Sequence, residues 1–317
     1  MFYDSKMDEG LVFSPQYSYI RARQLERTFP GDRWTGTWVV TVLRVGHGWG
    51  ALPEEFWPYD TSVWPPMEPP GLDVIAMKYR FNSYYRRART VDACKSVLAM
   101  AEMPVVAALK ITPDWYNAPL GRISKLQIAD NVIGIHSVLL VGYDDRRRDL
   151  RFQNSWGIGW GDRGFGYLPY DVFEEACVES WAQLLAGDDA QTQRSSSTVH
   201  RSWGLLESTG EIVHGHEIKG PGDERIAWSY AVEQEGALQV EELFVMPKFR
   251  RRGYGQTLAK SMAELAEQKV RDLQFLISHA DAAPENLRII EKLMHPLGLQ
   301  LNVCEQRWAS YVYSTRE

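Results

Sequence analysis

The sequence predicts two domains, an α+β domain followed by a compact domain built on a mixed α/β sheet. The 317 residues are 44% apolar, which is enough for two cores of ordinary size. Residues 186–198 are small and polar and lack apolar periodicity, so we interpret them as a linker. Helical segments precede strands in residues 1–185, whereas residues 199–317 show four strands and then strands that alternate with helices. We therefore expect domains at 1–185 and 199–317.

The composition limits the partners and the compartment. A net charge of −6 and a pI near 5.7 argue against nucleic acid as the main partner, because phosphate binding needs a basic face. No stretch approaches the ~20 apolar residues that span a bilayer, and the acidic first ten residues do not resemble a signal peptide. The three cysteines, Cys94, Cys177 and Cys304, are far apart and lack metal-site spacing. We expect a cytoplasmic protein without membrane contact, disulfides or a metal.

Periodicity predicts the elements of the first domain. Helices are expected at Gln16–Arg27, Thr35–Val45 and Val91–Met100, and strands at Val105–Ile111, Ile133–Tyr143 and Asp149–Phe152. Turn-forming and aromatic residues follow as far as Tyr170.

The second domain is predicted in the same way. The expected elements are strands at Ser202–Glu207, Glu211–Ile218, Arg225–Glu233 and Leu238–Met246, a helix at Tyr254–Gln268, a strand at Leu273–Ser278, a helix at Pro284–Met294 and closing strands to Tyr313. Four strands followed by strand–helix alternation imply a mixed sheet with helices on its faces.

A histidine and an asparagine lie on neighbouring strands of the first domain. His136 belongs to one predicted strand, Asn154 follows the next, and Trp156 comes two residues later. On adjacent strands the Asn side chain can orient the imidazole and the indole can shield their hydrogen bond, as cysteine–histidine catalysis requires. The two side chains can also hydrogen-bond to each other in a protein core without any catalytic role.

These residues, with FSPQ at 13–16, LPEE at 52–55, WPYD at 57–60, MPVV at 103–106 and NSWG at 154–157, resemble the papain family over most of residues 11–175. The resemblance implies a papain-like α+β fold that is incomplete at its N-terminus. It implies that His136 matches the catalytic base, Asn154 the orienting residue and Trp156 the covering indole.

The resemblance fails at the nucleophile. In the family the cysteine lies on a helix upstream of the segment that residues 13–16 resemble, and no cysteine precedes that segment here. Cys94 lies among apolar positions of a predicted helix, so we expect it, like Cys177 and Cys304, to be a buried structural residue. This half alone should not cut peptides. Three explanations stay open: a pseudo-peptidase that keeps a peptide-binding groove, a truncated chain, or a partner chain that supplies the cysteine helix.

A strand, a short turn and a helix start form the most specific motif of the second domain, VEELFVMPKFRRRGYGQ at 240–256. Its glycines let the backbone approach a phosphate, and the N–H groups of a helix N-terminus offer hydrogen-bond donors to a pyrophosphate. A basic turn that holds no ligand is the alternative. Arg-x-x-Gly-x-Gly after a Leu-Phe-Val-x-Pro strand resembles motif A of the GNAT superfamily, whose members transfer an acyl group from coenzyme A to an amine.

The GNAT resemblance covers about residues 200–317 and implies acetyl-CoA or another acyl-CoA as donor, with an amine-bearing acceptor. It assigns the pyrophosphate to the turn residues Arg250, Arg251, Arg252, Gly253, Tyr254, Gly255 and Gln256. It assigns the pantetheine arm to the splayed strand end, Phe244, Val245 and Met246, with Asn286 nearby.

Two departures from the family concern the acceptor side. Members commonly carry a Tyr on the last helix as general acid, and the matching neighbourhood here is Leu293-Met294, so that acid is absent or replaced. Members also place two helices after the first strand, whereas residues 202–246 predict strands and turns only. Either the acceptor site is open or the first domain supplies its wall.

Two residues are candidates for proton transfer. We expect Glu241 to share a strand face with Leu243 and Val245 and Glu242 to point the other way, with a solvated acidic pair as the alternative. His279, just past the next strand, is the second candidate, with a surface histidine as the alternative.

His214 and His216 fall on one strand face, but no third metal ligand is suggested. We therefore expect both to be exposed histidines rather than ligands.

Three functions follow from these patterns. The first is an N-acyltransferase whose acceptor is a peptide or protein held by a silent papain-like domain. The second is a cysteine peptidase or transpeptidase completed by a missing segment or partner chain. The third is a non-enzymatic peptide-binding scaffold.

Overall fold

Two β-sheets organise the chain, and helices cover their faces. The structure, a computed structural model, describes residues 11–81, 83–88, 90–100, 103–124, 131–185, 191–193, 199–206, 211–221, 224–234, 236–277, 281, 284–303 and 311–314. Within these ranges, no helix is both long and apolar enough to cross a membrane.

The first sheet belongs to the N-terminal half. Its strands are β1 (Ser83–Arg87), β2 (Val105–Ile111), β3 (Gly134–Asp144), β4 (Asp149–Gln153), β5 (Phe165–Pro169) and β6 (Cys177–Leu185), in the antiparallel order β1-β6-β2-β3-β4-β5. The helices of this half are α1 (Pro15–Leu25), α2 (Val39–Gly48), α3 (Leu72–Ala76), α4 (Val91–Met100) and α5 (Tyr170–Ala176). Helices α4 and α5 pack on the sheet around a core that includes Cys94, Leu109, Leu140 and Phe173.

Ser14 fixes the start of α1. Its side chain accepts a hydrogen bond from the Tyr17 N–H at 3.1 Å, and Pro15 occupies the first helical position, where a missing N–H costs nothing. The Ser14 hydroxyl also donates to the Trp57 carbonyl at 2.6 Å, which ties the helix start to the following loop.

The second sheet belongs to the C-terminal half. Its strands are β7 (Gln191–Gln193), β8 (His200–Leu206), β9 (Glu211–Lys219), β10 (Arg225–Gln234), β11 (Ala237–Val245), β12 (Asp272–Ile277), β13 (Gln300–Val303) and β14 (Tyr311–Ser314), in the order β13-β14-β12-β11-β10-β9-β8-β7. Strands β11 and β12 are parallel, and α6 (Tyr254–Gln268) provides the crossover between them. Helix α7 (Pro284–Met294) joins α6 on one face, around Met262, Phe275 and Met294.

Helix α2 lies between the two sheets. Its residues Val40 and Leu43 share a core with Trp181 of the first sheet and with Trp228 and Phe244 of the second. Its end approaches the second sheet closely, because a Cβ on Gly48 would lie 2.7 Å from the sulfur of Met246. The two halves therefore share an apolar interior rather than only a connecting segment.

Most predicted elements are confirmed within a few residues. The helices at 91–100, 254–268 and 284–294 and the strand at 105–111 have the predicted bounds. Strands β1, β5 and β6 were not predicted, and α2 begins four residues later than expected. Of the predicted linker 186–198 the structure describes only 191–193, which pair with β8 as β7. The division into 1–185 and 199–317 stays a prediction.

Candidate functional site

Strands β11 and β12 separate at the centre of the second sheet. In the described residues their pairing runs from Ala237/Asp272 to Val240/Phe275, although both strands continue beyond it. A bulge accompanies the separation, because Tyr230 pairs with Glu242 and the next residue of β10 pairs with Val240. An extended ligand with amide groups can pair with a strand in such an opening.

The loop after β11 leads into the N-terminus of α6. The chain makes one 3₁₀ turn at Pro247–Phe249, and Arg251 and Gly253 then have φ angles of 63° and 85°. Gly253 is the N-cap residue and has no side chain to occupy the first N–H groups of this 15-residue helix. A helix N-terminus left open in this way is complementary to an anionic group such as a pyrophosphate.

The arginines of this loop add positive charge beside the strand end. The Arg250 Nε donates to the Val245 carbonyl at 3.0 Å, and its guanidinium lies 5.4 Å from the centre of the Phe244 ring. Partial desolvation, followed by the positive charges of Arg44 and Arg27, holds the pKa of Arg250 below its usual value. A phosphate bound beside Arg250 would offset the repulsion that the other two arginines exert on it.

Glu241 and Glu242 are both buried, each 3% exposed, so the alternative of a solvated acidic pair is wrong. Both carboxylate oxygens of Glu242 accept hydrogen bonds from Arg44 of α2, at 2.9 and 3.0 Å. Glu241 is the extra residue of the bulge. The prediction that Glu241 shares a face with Leu243 and Val245 assumed that side chains alternate regularly along β11. The bulge interrupts this alternation at Glu241.

The remaining predicted residues of this half lie on or near α7. Asn286 is a half-buried residue in the first turn of α7. Leu293 packs toward the start of α6, 3.5 Å from where a Cβ on Gly255 would lie. His279, like Cys304, falls outside the described residues.

A second constellation lies on the first sheet. The His136 Nε2 is 2.8 Å from the Asn154 Oδ1, and the His136 ring centre is 4.7 Å from that of Trp156. Desolvation lowers the pKa of His136, and the hydrogen bond to Asn154 opposes this change. Strands β3 and β4 thus bring together the three residues that the sequence singled out.

An open depression of about 560 Å³ adjoins this constellation. Its lining includes Trp156, Trp160 and Tyr116, and the rings of Tyr116 and Trp156 are stacked with centroids 5.1 Å apart. Aromatic walls next to an imidazole suit the apolar side chains and amide groups of a peptide.

Neither described cysteine is placed as a nucleophile. Cys94 and Cys177 are buried, as predicted, and the Cys94 thiol faces the Ala88 carbonyl at 3.5 Å. Burial, with the nearby Glu174 charge, raises the pKa of Cys94 to about 12. A thiol with so little thiolate at neutral pH is a poor nucleophile.

Comparisons with known proteins give two different relatives for the two halves. Residues 170–291 match the model of the acetyltransferase (GNAT) family. A peptidase C1-like protein of Acanthamoeba polyphaga mimivirus, itself uncharacterised, is 23% identical over 181 residues, which are 53% of this chain and 58% of that protein. Because of these similarities, we call the half that carries the first sheet the papain-like part and the half that carries the second sheet the GNAT part.

Two solved structures are also among the matches. Xylellain, a cysteine protease of Xylella fastidiosa, is 27% identical with a TM-score of 0.48, over 56% of this chain and 72% of the other. A Klebsiella pneumoniae protein assigned as an acyl-CoA N-acyltransferase is 18% identical with a TM-score of 0.27, over 32% of this chain and 70% of the other. The GNAT match begins at residue 170, the first residue of helix α5, which packs on the first sheet.

The sequence did not single out the α2 residues that reach from the papain-like part into the GNAT part. Arg44 binds Glu242, and His47 lies 2.5 Å from the Tyr230 hydroxyl. The sequence did contain a signal, because Arg44 and His47 are polar residues in a mostly apolar helix. Polar side chains that are buried with such a helix need hydrogen-bond partners. The sequence does not contain the identity of those partners, which lie about 180 to 200 residues away.

The expectation of exposed histidines on β9 is wrong. His214 and His216 are both buried, and the His214 Nε2 lies 2.8 Å from Glu233. Desolvation lowers the pKa of both, that of His216 to about 3. Among the residues that the structure describes, no group of three potential ligands surrounds a metal position.

Proposed function

We propose that this protein is an acyl-CoA-dependent N-acyltransferase whose acceptor is an amine on a peptide or protein held by the papain-like part. The observation that carries the proposal is the GNAT-matching segment, in which an arginine-rich loop and an open helix N-terminus adjoin separating parallel strands. Acetyl-CoA or another acyl-CoA is the proposed donor.

The residues of the GNAT part suit this donor. The N–H groups at 253–256 and the arginines at 250–252 offer donors and charge to the pyrophosphate, and the strand end at 244–246 offers backbone groups to the pantetheine arm. A bound acyl-CoA supplies a thioester, whose carbonyl carbon forms an amide bond with the acceptor nitrogen as its carbon–sulfur bond breaks. The acceptor must lose a proton in this exchange, and we assign that proton to the Glu241 carboxylate, directly or through water.

The papain-like part supplies a wall on the acceptor side. Helix α2 covers the sheet face of Trp228, Tyr230 and Phe244, while the described residues between 200 and 246 contain strands and turns only. This arrangement supports the alternative in which the first half closes the acceptor site, rather than the open one.

The depression beside His136 and Trp156 supports a peptide or protein as the acceptor. It has aromatic walls and an exposed edge, and it belongs to the part that resembles a peptidase. We propose that this surface retains peptide binding without cleavage.

A thiol-release assay tests the proposal. Acetyl-CoA and a panel of peptides with free N-termini or lysines are incubated with the full chain, and free coenzyme A and acetylated peptide are measured. We expect peptide-dependent release, and about a hundredfold lower kcat for Glu241→Gln. Glu264→Gln is the control. It removes a carboxylate of α6 that pairs with Arg201, and its kcat should match that of the wild type. No release with any acyl-CoA would contradict the proposal.

A peptidase or transpeptidase is the second candidate, favoured by the His136–Asn154 contact of 2.8 Å. It requires a cysteine from a further segment or a partner chain, placed against Nδ1 of His136, the ring nitrogen that does not contact Asn154. Mixing the protein with such a chain should then yield a His136-dependent cleavage. A failure of both assays would leave a non-enzymatic scaffold.

A further inference from the structure

One arginine of the papain-like part joins both sides of the opening between β11 and β12. The Arg44 guanidinium donates to both oxygens of Glu242, at 2.9 and 3.0 Å, and to both oxygens of Asp281, at 2.9 and 2.7 Å. Glu242 lies on β11, and Asp281 follows the last residue of β12 by four positions. A single planar group thus holds two carboxylates in paired contacts, which lysine cannot reproduce.

Arg44 contacts these carboxylates where β11 and β12 are no longer paired. Pairing between β11 and β12 ends at Val240/Phe275 in the described residues, and Glu242 lies beyond that point. With no ladder hydrogen bonds to hold the strands there, other contacts must set the width of the opening. The Arg44 guanidinium supplies such a contact, and it also lies 5.1 Å from the centre of the Phe244 ring.

Helix α2 holds Arg44 in a fixed place. The Val39 N–H at its start donates to the Glu179 carboxylate of β6 at 2.7 Å, and His47 near its end contacts Tyr230. Val40 and Trp228, each 0% exposed, pack in the core between. Separating these surfaces would expose a large apolar area to water. Helix α2 therefore stays packed against the second sheet.

We propose that Arg44 is a positioning residue of the acyl-CoA site, through which the papain-like part sets the separation of β11 and β12 where the pantetheine arm enters. The inference rests on the proposed acyltransferase function. The papain-like part is then required for donor binding even when no peptide is present.

Asp281→Asn tests this role with little risk to folding. The Asp281 side chain is 30% exposed, and the variant keeps the buried Arg44–Glu242 pair intact. We expect acetyl-CoA to bind about tenfold more weakly in calorimetry, with a Tm within about 2 °C of the wild type. KM for acetyl-CoA should rise while kcat at saturation changes less. Arg44→Lys should also weaken acetyl-CoA binding, because lysine keeps the positive charge but cannot make the paired contacts of the guanidinium.

Glu264→Gln again serves as the control, because it removes an exposed carboxylate of the same part without touching the opening. Wild-type affinity for acetyl-CoA in both Asp281→Asn and Arg44→Lys would overturn the inference while leaving the proposed function in place. A wild-type protein that binds no acyl-CoA would overturn the proposed function, and this inference with it.

Discussion

The His47 imidazole of α2 lies 2.5 Å from the Tyr230 hydroxyl of β10, inside the contact between the papain-like and GNAT parts. Its ring also meets the Trp228 indole, with centroids 4.7 Å apart, and its carbonyl accepts a hydrogen bond from Arg225 at 2.9 Å. Buried polar groups that are matched in this way specify one arrangement of the surfaces that carry them. The interface therefore belongs to the folded core of the protein.

Stability should fall on acidification because of His47. Burial lowers its pKa from 6.5 to about 4; the hydrogen bond to Glu217 opposes the change, and the charges of Arg225 and Arg80 add to it. Between these values the unfolded chain binds more protons than the folded protein, so the free energy of unfolding decreases as pH falls from about 6.5 to about 4. The loss from His47 is on the order of 2–3 kcal/mol.

Thermal unfolding of wild type and His47→Gln between pH 7 and 4 measures this contribution. The variant should show a shallower dependence on pH, although buried His216 and half-buried Glu217 keep contributions of their own. His295→Gln, at an exposed position, should keep the wild-type slope. An unchanged slope in His47→Gln would show that His47 is not buried as described.

Alanine variants of two glycines with positive φ angles should distinguish an effect on stability from an effect on donor binding. Gly253 and Gly236 have φ angles of 85° and 77°, and a Cβ on either would meet nothing within 4 Å. Alanine should cost about 1 kcal/mol of stability at each position. Only Gly253→Ala should also weaken acetyl-CoA binding, by about tenfold, because Gly253 leads into α6 whereas Gly236 lies at the opposite end of β11. Equal affinities in calorimetry would remove the loop from the donor site.

The sequence predicted the local parts of the candidate site better than their assembly. The run at 240–256 contains a strand, a turn and a helix whose periods and glycines are local signals, and their bounds are confirmed within two residues. The bulge at Glu241 was not predictable, because it depends on the register with β10. The placement of α2 against Trp228 depends on packing between residues nearly 200 positions apart, to which no local pattern refers.

The His136–Asn154 contact should control the protonation of His136. Since the hydrogen bond to Asn154 raises the pKa of His136 against desolvation, Asn154→Ala should lower that pKa further. An NMR titration of the histidine ring carbons measures the change. Gln153→Ala, at an exposed position of β4, should leave the pKa unaltered. The same pKa in Asn154→Ala and wild type would mean that the two side chains are not in contact.

The described cysteines should resist alkylation in the folded protein. Cys94 and Cys177 are buried, and the thiol of Cys94 has a pKa raised to about 12 by burial. Iodoacetamide at pH 8 should modify both slowly before denaturation and fast after it, as read by peptide mass spectrometry. Fast modification of Cys94 in the folded protein, abolished by His136→Ala, would make Cys94 a nucleophile and revive the peptidase within this chain.

Binding of an acyl-CoA by the loop at 246–256 can be measured by calorimetric titration of acetyl-CoA into the full chain. We expect a Kd of about 1 µM to 100 µM, with binding lost or weakened by more than about tenfold in Arg250→Ala. The absence of binding to acetyl-CoA and to longer acyl-CoAs, or equal binding by Arg250→Ala, would contradict this expectation.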